Sequence, residues 1–269
     1  MQTLSSKLQT GTYIVISLAA VSFIMIFASY LGKDVANLVS NWIFIPVPGA
    51  AVVLSILFAI RNGIKGSHGK AWILLSLSMI SWFIGEQVWL VYDLVYNENP
   101  FPSLADFFYL IGYAFFFAFS LYYLQPVKNA ITKKIVGIAI VISIALLIPT
   151  VYYALDNNTG YNSFELALAA SYPILDAVTL VPSMIGIVLF LGGKVNFMWA
   201  LVMLGMLIFV MADTGFLVTD IAGEYYTGHP IDILYLWAYL LFAFGLRDQM
   251  KIFKKSGAEN RFHKQEELR

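Results

Sequence analysis

Eight long apolar stretches limit what this chain can fold into. Each holds about 17–25 mostly apolar residues, the length that an α-helix needs to cross a hydrocarbon core of about 30 Å. They are, in chain order, segments 1 to 8: 12–31, 42–61, 71–93, 104–124, 135–155, 167–191, 197–219 and 231–247. Hydrophobic residues form 60% of the 269 and charged residues 12%, whereas soluble domains hold about 45–50% and about 25%. The sequence therefore predicts an all-α integral membrane protein, an eight-helix transmembrane bundle in a lipid bilayer.

The connections between the segments predict how the bundle is oriented. They are short, so consecutive segments should be antiparallel neighbours. Fifteen of the 16 Lys and Arg residues lie before segment 1, in or at the edge of every second connection, or from the end of segment 8 onward, among them Lys7, Arg61, Lys65, Lys70, Lys128, Lys133, Lys134, Lys194, Arg247, Lys251, Lys254 and Lys255. The alternate connections hold Lys33 as their only Lys or Arg. The positive-inside rule then predicts a multi-pass protein of the cell membrane with both termini in the cytoplasm.

An internal duplication relates the two halves of the chain. Residues 72–93 align with 199–220 at a constant offset of 127, and the register continues into the next segment after the loss of one residue. The matched pairs that carry polar or aromatic chemistry are Trp72 with Trp199, Glu86 with Asp213, Asp93 with Asp220, Asp106 with Asp232, Tyr109 with Tyr235, and Tyr113 with Tyr239. An even number of helices per unit keeps the copies parallel, related by a pseudo-two-fold axis along the membrane normal.

This duplication divides the chain into two structural units. We predict a cytoplasmic N-terminus (1–11), a first four-helix repeat (12–124), a cytoplasmic linker loop (125–134), a second four-helix repeat (135–247) and a cytoplasmic tail (248–269). The tail is polar with mixed charges, and it is either a solvated end or a helix on which a protein partner docks.

Carboxyl groups within the segments are the main functional signal. Each costs about 2.5–3.5 kcal/mol at the centre of a spanning helix, so it normally faces the bundle interior. The predicted orientation places several in one outer layer with tyrosines at helical spacing, and the candidate pocket residues are Glu86, Asp106, Tyr109, Tyr113, Asp176, Asp213, Asp232, Tyr235 and Tyr239. No Lys or Arg accompanies them. The pattern predicts an outward-facing acidic pocket between the repeats for a small cation, a protonated amine or a proton.

Two of these acids also have a structural interpretation. Ser103 precedes Asp106 by three residues, as in a capping box, and Pro230 stands just before Asp232. Both aspartates therefore fit the role of stabilising a helix N-terminus.

Several function classes lack their residues here. Cysteine is absent, and His68, His229 and His263 lie in loops or the tail, so no histidine pair within the membrane can hold haem or zinc. No Ser-His-Asp arrangement or Walker-type loop is found, and there is no basic face for nucleic acid. We expect no enzymatic activity, no cofactor and no nucleic-acid partner, and the sequence leaves open whether the acids bind a metal.

One motif resembles a known family. The run Phe101-Pro102-Ser103-Leu104-Ala105-Asp106-Phe107-Phe108-Tyr109-Leu110-Ile111-Gly112-Tyr113 is similar to a signature of the multi-span N-terminal membrane domain of bacterial and archaeal signalling proteins. In those proteins the domain precedes PAS, histidine kinase, GGDEF or EAL modules. Tyr172-Pro173-Ile174-Leu175-Asp176 and the stretch from Ala212-Asp213 to Tyr239 resemble its second half. The resemblance implies a sensory input domain, and this chain departs from the pattern because no such module follows segment 8.

Four functions are alternatives. A sensor or receptor-like module would bind a ligand in the outer pocket and pass its state through segment 8 and the tail to a protein partner. A cation- or proton-coupled transporter would use the repeats and acids for alternating access. A membrane-embedded enzyme would use paired carboxylates as acid and base, and it ranks last because the sequence has no nucleophile or metal signature. A structural subunit of a membrane complex would need neither a ligand site nor a transport route.

Overall fold

The computed structural model describes residues 4–63, 65–157, 160–193, 197–247 and 250. These residues form nine α-helices and no β-strand. The helices are α1 (Leu4–Leu31), α2 (Lys33–Ile43), α3 (Pro46–Asn62), α4 (Gly66–Leu90), α5 (Leu104–Leu124), α6 (Lys133–Asp156), α7 (Ser163–Leu191), α8 (Phe197–Ile221) and α9 (232–247). A π-helical turn (Val91–Tyr96) prolongs α4, and a 3-10 helix (Gln125–Ala130) prolongs α5. The predicted tail, 248–269, lies outside the described residues apart from Met250.

The lengths and composition of these helices fit a multi-pass membrane protein. Within the described residues, seven stretches are long and apolar enough to cross a membrane, and they correspond to segments 1 to 7. Helix α9 corresponds to segment 8. The outward faces of α1 and α6 carry large apolar side chains such as Phe23, 70% exposed, and Val141, 66% exposed. Side chains of this kind suit contact with lipid tails, so the prediction of an all-α multi-pass membrane protein is confirmed.

Segment 2 differs from its predicted bounds of 42–61. Its helix begins earlier, at Lys33, and it is interrupted between Ile43 and Pro46, where α2 ends and α3 begins. Pro46 has no backbone N–H to donate to the Trp42 carbonyl, and proline fits the first turn of a new helix, which explains the break. The start was missed because α2 is rich in polar residues. Two of them, Ser40 and Asn41, are buried in the bundle and are not exposed as loop residues would be.

Four connections meet at one end of the bundle. The Ser29 hydroxyl donates to the Gly228 carbonyl at 3.2 Å, so the turn after α1 lies against the loop between α8 and α9. The Trp89 indole N–H donates to Thr227 Oγ1 of the same loop at 3.2 Å. The rings of Phe101 and Tyr161 lie 5.5 Å apart, so the other two connections contact each other, and Tyr161 also bonds Asp220 near the end of α8. We call this the long-loop end of the bundle.

Aromatic side chains fill the core away from the long-loop end. The rings of Trp82 on α4 and Phe209 on α8 stack at 4.7 Å, and those of Trp72 and Trp199 stack at 5.0 Å on the same pair of helices. Trp82 is fully buried, and its indole N–H donates to the Tyr109 carbonyl at 3.1 Å. The central helices α4, α5 and α8 are therefore held in register by large, interlocked side chains.

Candidate functional site

A cavity of about 90 Å³ lies at the long-loop end, above the aromatic core. Four carboxyl side chains line it: Glu86, Asp106, Asp213 and Asp232. Aromatic side chains form most of the remaining wall: Phe44, Trp89, Phe101, Tyr109, Tyr113, Tyr161, Tyr172, Phe209, Phe216, Tyr225 and Tyr235. No Lys, Arg or His is among the described residues that line the cavity. The wall is therefore acidic and aromatic.

Tyrosine hydroxyls hold the two carboxyl groups at the centre of this wall. Glu86 accepts from Tyr109 at 3.2 Å and from Tyr239 at 2.9 Å, so each of its oxygens has a donor. Asp213 accepts from Tyr235 at 2.5 Å and forms a second hydrogen bond with Tyr113. Each carboxyl thus bonds a tyrosine from both α5 and α9, and the four hydroxyls fix the orientation of both acids.

Close packing brings these tyrosines to the acids. Gly85 stands beside Glu86 on α4, and a Cβ on that glycine would lie 2.7 Å from the ring of Tyr109. Gly112 on α5 has the same relation to Trp82, at 2.4 Å. Small residues at helix interfaces allow such close approach in membrane proteins. The glycines let α4 and α5 pack closely enough for the Tyr109 hydroxyl to reach Glu86.

Asp106 begins α5 with a capping box. The Ser103 hydroxyl accepts from the Ala105 backbone N–H at 3.1 Å, and Asp106 accepts from the Ser103 N–H at 2.7 Å. The structural interpretation of Asp106 as a cap is therefore confirmed. Its other carboxyl oxygen accepts from the Tyr172 hydroxyl of α7 at 2.5 Å, so the same group also forms part of the cavity wall.

Asp232 organises the loop that precedes α9. It accepts from the Gly228 backbone N–H at 2.8 Å and from the Tyr225 hydroxyl at 3.2 Å. Gly228 has a φ of 92° and lies so close to α2 that a Cβ would be 2.4 Å from the backbone of Ala36. Glycine is needed here for both reasons, and Asp232 fixes this turn where it covers the cavity.

Two predicted pocket residues do not line the cavity. Tyr239 lies behind it, where it bonds Glu86. Asp176 on α7 is 2% exposed and contacts Tyr113 from the far side, with 2.7 Å between the hydroxyl and Asp176 Oδ1. The other seven line the cavity, so the structure brings together residues from α4, α5, α8 and α9 that are far apart in sequence.

The acids nearest the long-loop end are bound by other partners. Asp93 accepts from Asn37 at 2.7 Å and from Asn41 at 2.6 Å, which ties α2 to the π-helical turn. Asp220 accepts from the hydroxyl of Tyr161. Burial and the neighbouring Asp220 raise the pKa of Tyr161, and burial with Asp232 raises the pKa of Tyr225. Both hydroxyls therefore stay protonated donors at neutral pH.

Sequence reasoning missed several residues of the cavity wall. Tyr172 carried a usable signal, because it precedes Asp176 by one helical turn on α7. Ser40 and Asn41 carried another, because they follow Asn37 by three and four residues and form a polar stripe with it on α2. Tyr161, Tyr225 and Thr227 lie in connections without periodicity, so only the folded chain brings them to the cavity.

Among the described residues, no group of three or more His, Cys, Asp or Glu side chains is arranged to hold a metal ion. Comparison of the chain with family models, curated proteins and solved structures finds no match.

Proposed function

We propose that this protein is a membrane sensor whose cavity binds a small organic ammonium ion. The observation that carries the proposal is a 90 Å³ cavity lined by four carboxyl groups and many aromatic rings. Carboxylates offer a protonated or quaternary amine its counter-charge. Aromatic faces attract cations through their quadrupoles, an attraction worth about 2 kcal/mol or more when the pair is desolvated.

The binding site would face outward. The distribution of Lys and Arg favours a cytoplasmic position for both termini, which turns the long-loop end toward the outside. The ligand would then arrive from the extracellular side. The cell membrane is the location that this orientation favours.

We infer that the two halves form parallel repeats around the cavity. Each hydrogen bond that a matched tyrosine makes to Glu86 has a counterpart to Asp213. Within the halves, Tyr109 bonds Glu86 as Tyr235 bonds Asp213. Between the halves, Tyr239 bonds Glu86 as Tyr113 bonds Asp213. The matched pair Trp72 and Trp199 stacks, as residues on a pseudo-two-fold axis would. A ligand between Glu86 and Asp213 would contact both repeats and could shift one relative to the other.

Sensing accounts for this arrangement better than transport. Alternating access needs a route from the site to both sides of the membrane. Stacked aromatic rings, from Trp82 and Phe209 to Trp72 and Trp199, fill the core on the side away from the long-loop end. In our proposal the ligand therefore enters and leaves from one side, and the signal reaches a partner through α9 and the residues that follow it.

Thermal unfolding of the purified protein with tetramethylammonium chloride tests the binding site. A ligand that binds only the folded state stabilises it by about 2.7 kcal/mol at a concentration of 100 Kd. We expect tetramethylammonium to raise the Tm of the wild type above its value in equal sodium chloride, and to lose this effect in Glu86→Gln/Asp213→Asn. The matched control is Asp34→Asn/Asp156→Asn, which removes two exposed carboxyl groups and should respond as the wild type does. Equal responses of all three proteins would contradict the site.

Vesicles separate the sensor from the transporter. With the protein reconstituted in liposomes, we expect radiolabelled tetramethylammonium to bind without accumulating in the lumen. Uptake that depends on the protein and on Glu86 would overturn the sensor proposal in favour of transport.

A further inference from the structure

A second, smaller cavity lies behind the main site, between α6, α7 and α8. Its volume is about 10 Å³, and its polar lining consists of Ser143, Thr150, Asp176 and Thr214. Two atoms at this cavity, Ser143 Oγ and Asp176 Oδ2, are buried and have no hydrogen-bond partner among the described residues. Ser143 and Asp176 are each 2% exposed. Leaving a buried polar group unsatisfied costs about 1–3 kcal/mol, so two such atoms facing one cavity call for a bridging partner.

The hydrogen bonds around Tyr113 require a proton on one of two carboxyl groups, Asp176 or Asp213. The Tyr113 hydroxyl has one proton but lies within hydrogen-bonding distance of two carboxyl groups, Asp176 Oδ1 at 2.7 Å and Asp213 Oδ2. One hydroxyl donates only one hydrogen bond, so the second contact needs a proton from a carboxyl group. Asp213 already accepts from Tyr235 on its other oxygen at 2.5 Å. If Tyr113 also donates to Asp213, the remaining proton belongs to Asp176, which then donates to the Tyr113 oxygen.

We propose that Asp176 is a buried proton site, and that the small cavity holds one water molecule bridging Asp176 Oδ2 and Ser143 Oγ. A cavity of about 10–15 Å³ is the smallest that accommodates a water, which needs two to four polar partners. Here the water donates to Asp176 Oδ2, accepts from Ser143, and satisfies both atoms.

The proton site adjoins the proposed ligand site. The titratable groups that contact Asp176 are Tyr113 from α5 and Asp213 from α8, and the polar groups of α6 at the small cavity, Ser143 and Thr150, are uncharged. Loss of the proton would place a second negative charge beside Asp213. A cation bound near Asp213 would offset this charge, so ligand binding and proton release would be linked. This linkage rests on the proposed function, whereas the proton site and the water do not.

Infrared difference spectroscopy on the full-length protein without ligand tests the proton. We expect Asp176→Asn to lose a carbonyl band of a protonated carboxyl group at neutral pH, and Asp34→Asn, which removes an exposed acid, to leave that region unchanged. An unchanged band in Asp176→Asn would overturn the assignment.

Whether Ser143→Ala lowers or raises the Tm tests whether the small cavity holds a water molecule. If water bridges the two atoms, Ser143→Ala removes one of its partners, and the Tm should fall relative to that of Ser183→Ala. Ser183 is a buried serine on α7 that donates to the Thr179 carbonyl at 2.8 Å, so its partner lies within its own helix. If the cavity is dry, Ser143→Ala removes an unsatisfied group and the Tm should rise or stay unchanged, which would overturn the bridge.

The linkage has its own readout. Tetramethylammonium should bind the wild type more tightly as pH rises, and Asp176→Asn should weaken this dependence, which the four carboxyl groups of the main cavity would still cause in part. A band assigned to Asp176 together with no tetramethylammonium binding at any pH would reject the ligand proposal and leave the proton site standing. An equal pH dependence of the Kd in the wild type and in Asp176→Asn would reject the linkage alone.

Discussion

A carboxyl group inside a bilayer must find its hydrogen-bond partners within the protein, and tyrosines provide most of them here. Glu86 and Asp213 are each bonded by two tyrosine hydroxyls. A phenol donates a proton without adding positive charge, so the acids are held in place and remain available to a cation. A lysine or arginine in the same position would have neutralised them. The choice of tyrosine therefore supports a site for a positively charged ligand.

Removing one hydroxyl should measure how firmly Glu86 is held. Tyr239 is fully buried and donates to Glu86 at 2.9 Å. We expect Tyr239→Phe to lower the free energy of unfolding by about 1–2 kcal/mol, since interhelical hydrogen bonds in membranes reach about that value. Tyr152→Phe, at a residue 65% exposed on α6, should change it by less than about 0.5 kcal/mol. Reversible unfolding in mixed micelles measures both variants. Equal losses of unfolding free energy in Tyr239→Phe and Tyr152→Phe would show that the hydrogen bond to Glu86 does not stabilise the protein.

Gly112 tests the tight contact between α4 and α5. A methyl group there would lie 2.4 Å from the ring of Trp82, which is fully buried and stacked on Phe209, so neither side can easily yield. Overpacking of this kind costs about 1–3 kcal/mol, and we expect Gly112→Ala to lose that much stability. Gly137→Ala on α6 is the control, because nothing lies within 4 Å of its Cβ position. The control should be neutral or gain up to about 1 kcal/mol from helix propensity. Equal stabilities of Gly112→Ala and Gly137→Ala would show that the helices shift to accommodate the added methyl group, and would contradict the prediction.

At the scale of elements, α2 shows how a polar helix is used inside an apolar bundle. Its amides Asn37 and Asn41 both bond Asp93 on the π-helical turn, so the helix carries its polar face inward. This contact holds α2 against the end of α4, beside the cavity to which Ser40 and Asn41 contribute. The break before Pro46 separates the polar helix α2 from the apolar helix α3 within one candidate span.

A double-mutant cycle measures this contact between elements. Asn41→Ala and Asp93→Ala should each destabilise the protein, and the double variant should lose less than their sum, with a coupling of about 0.5–2 kcal/mol. Pairing Asn41→Ala with Asp156→Ala, at an exposed residue on α6, should give additive losses within about 0.5 kcal/mol. Additivity in both cycles would show that the amide and Asp93 do not stabilise each other.

At the scale of the whole molecule, the direction in which the cavity faces determines which ligands can reach it. The chain contains no cysteine, so single introduced cysteines report topology without background. We expect Glu98→Cys and Glu224→Cys to react with a membrane-impermeant maleimide in intact cells, and Lys128→Cys to react only after permeabilisation. All three positions are exposed in the structure. The opposite pattern would turn the cavity toward the cytoplasm and replace an extracellular ligand with an intracellular one.

The sequence by itself determined the membrane class and the approximate position of each long helix. The bilayer requires a minimum length of apolar residues in each spanning helix, and this length can be read from each stretch without knowledge of its neighbours. It also singled out Glu86 and Asp213, since an acid within an apolar helix stands out without knowledge of its neighbours. Segment 2 shows the limit of this reasoning. Hydropathy placed the polar residues of α2 in a loop, although Ser40 and Asn41 are buried by contacts with other helices.

Only the tertiary structure decided which side chains meet. The rotation and tilt of each helix place Tyr113 between Asp176 and Asp213, leave Asp176 behind the main cavity, and bring Tyr225 and Tyr161 from the connections to the wall. Rotation and tilt follow from packing between helices, through contacts such as those of Gly112 with Trp82, and the lipid environment does not specify them. Apolar periodicity is weak in helices that are hydrophobic on every face, so the contacts of these acids became visible only in the folded bundle.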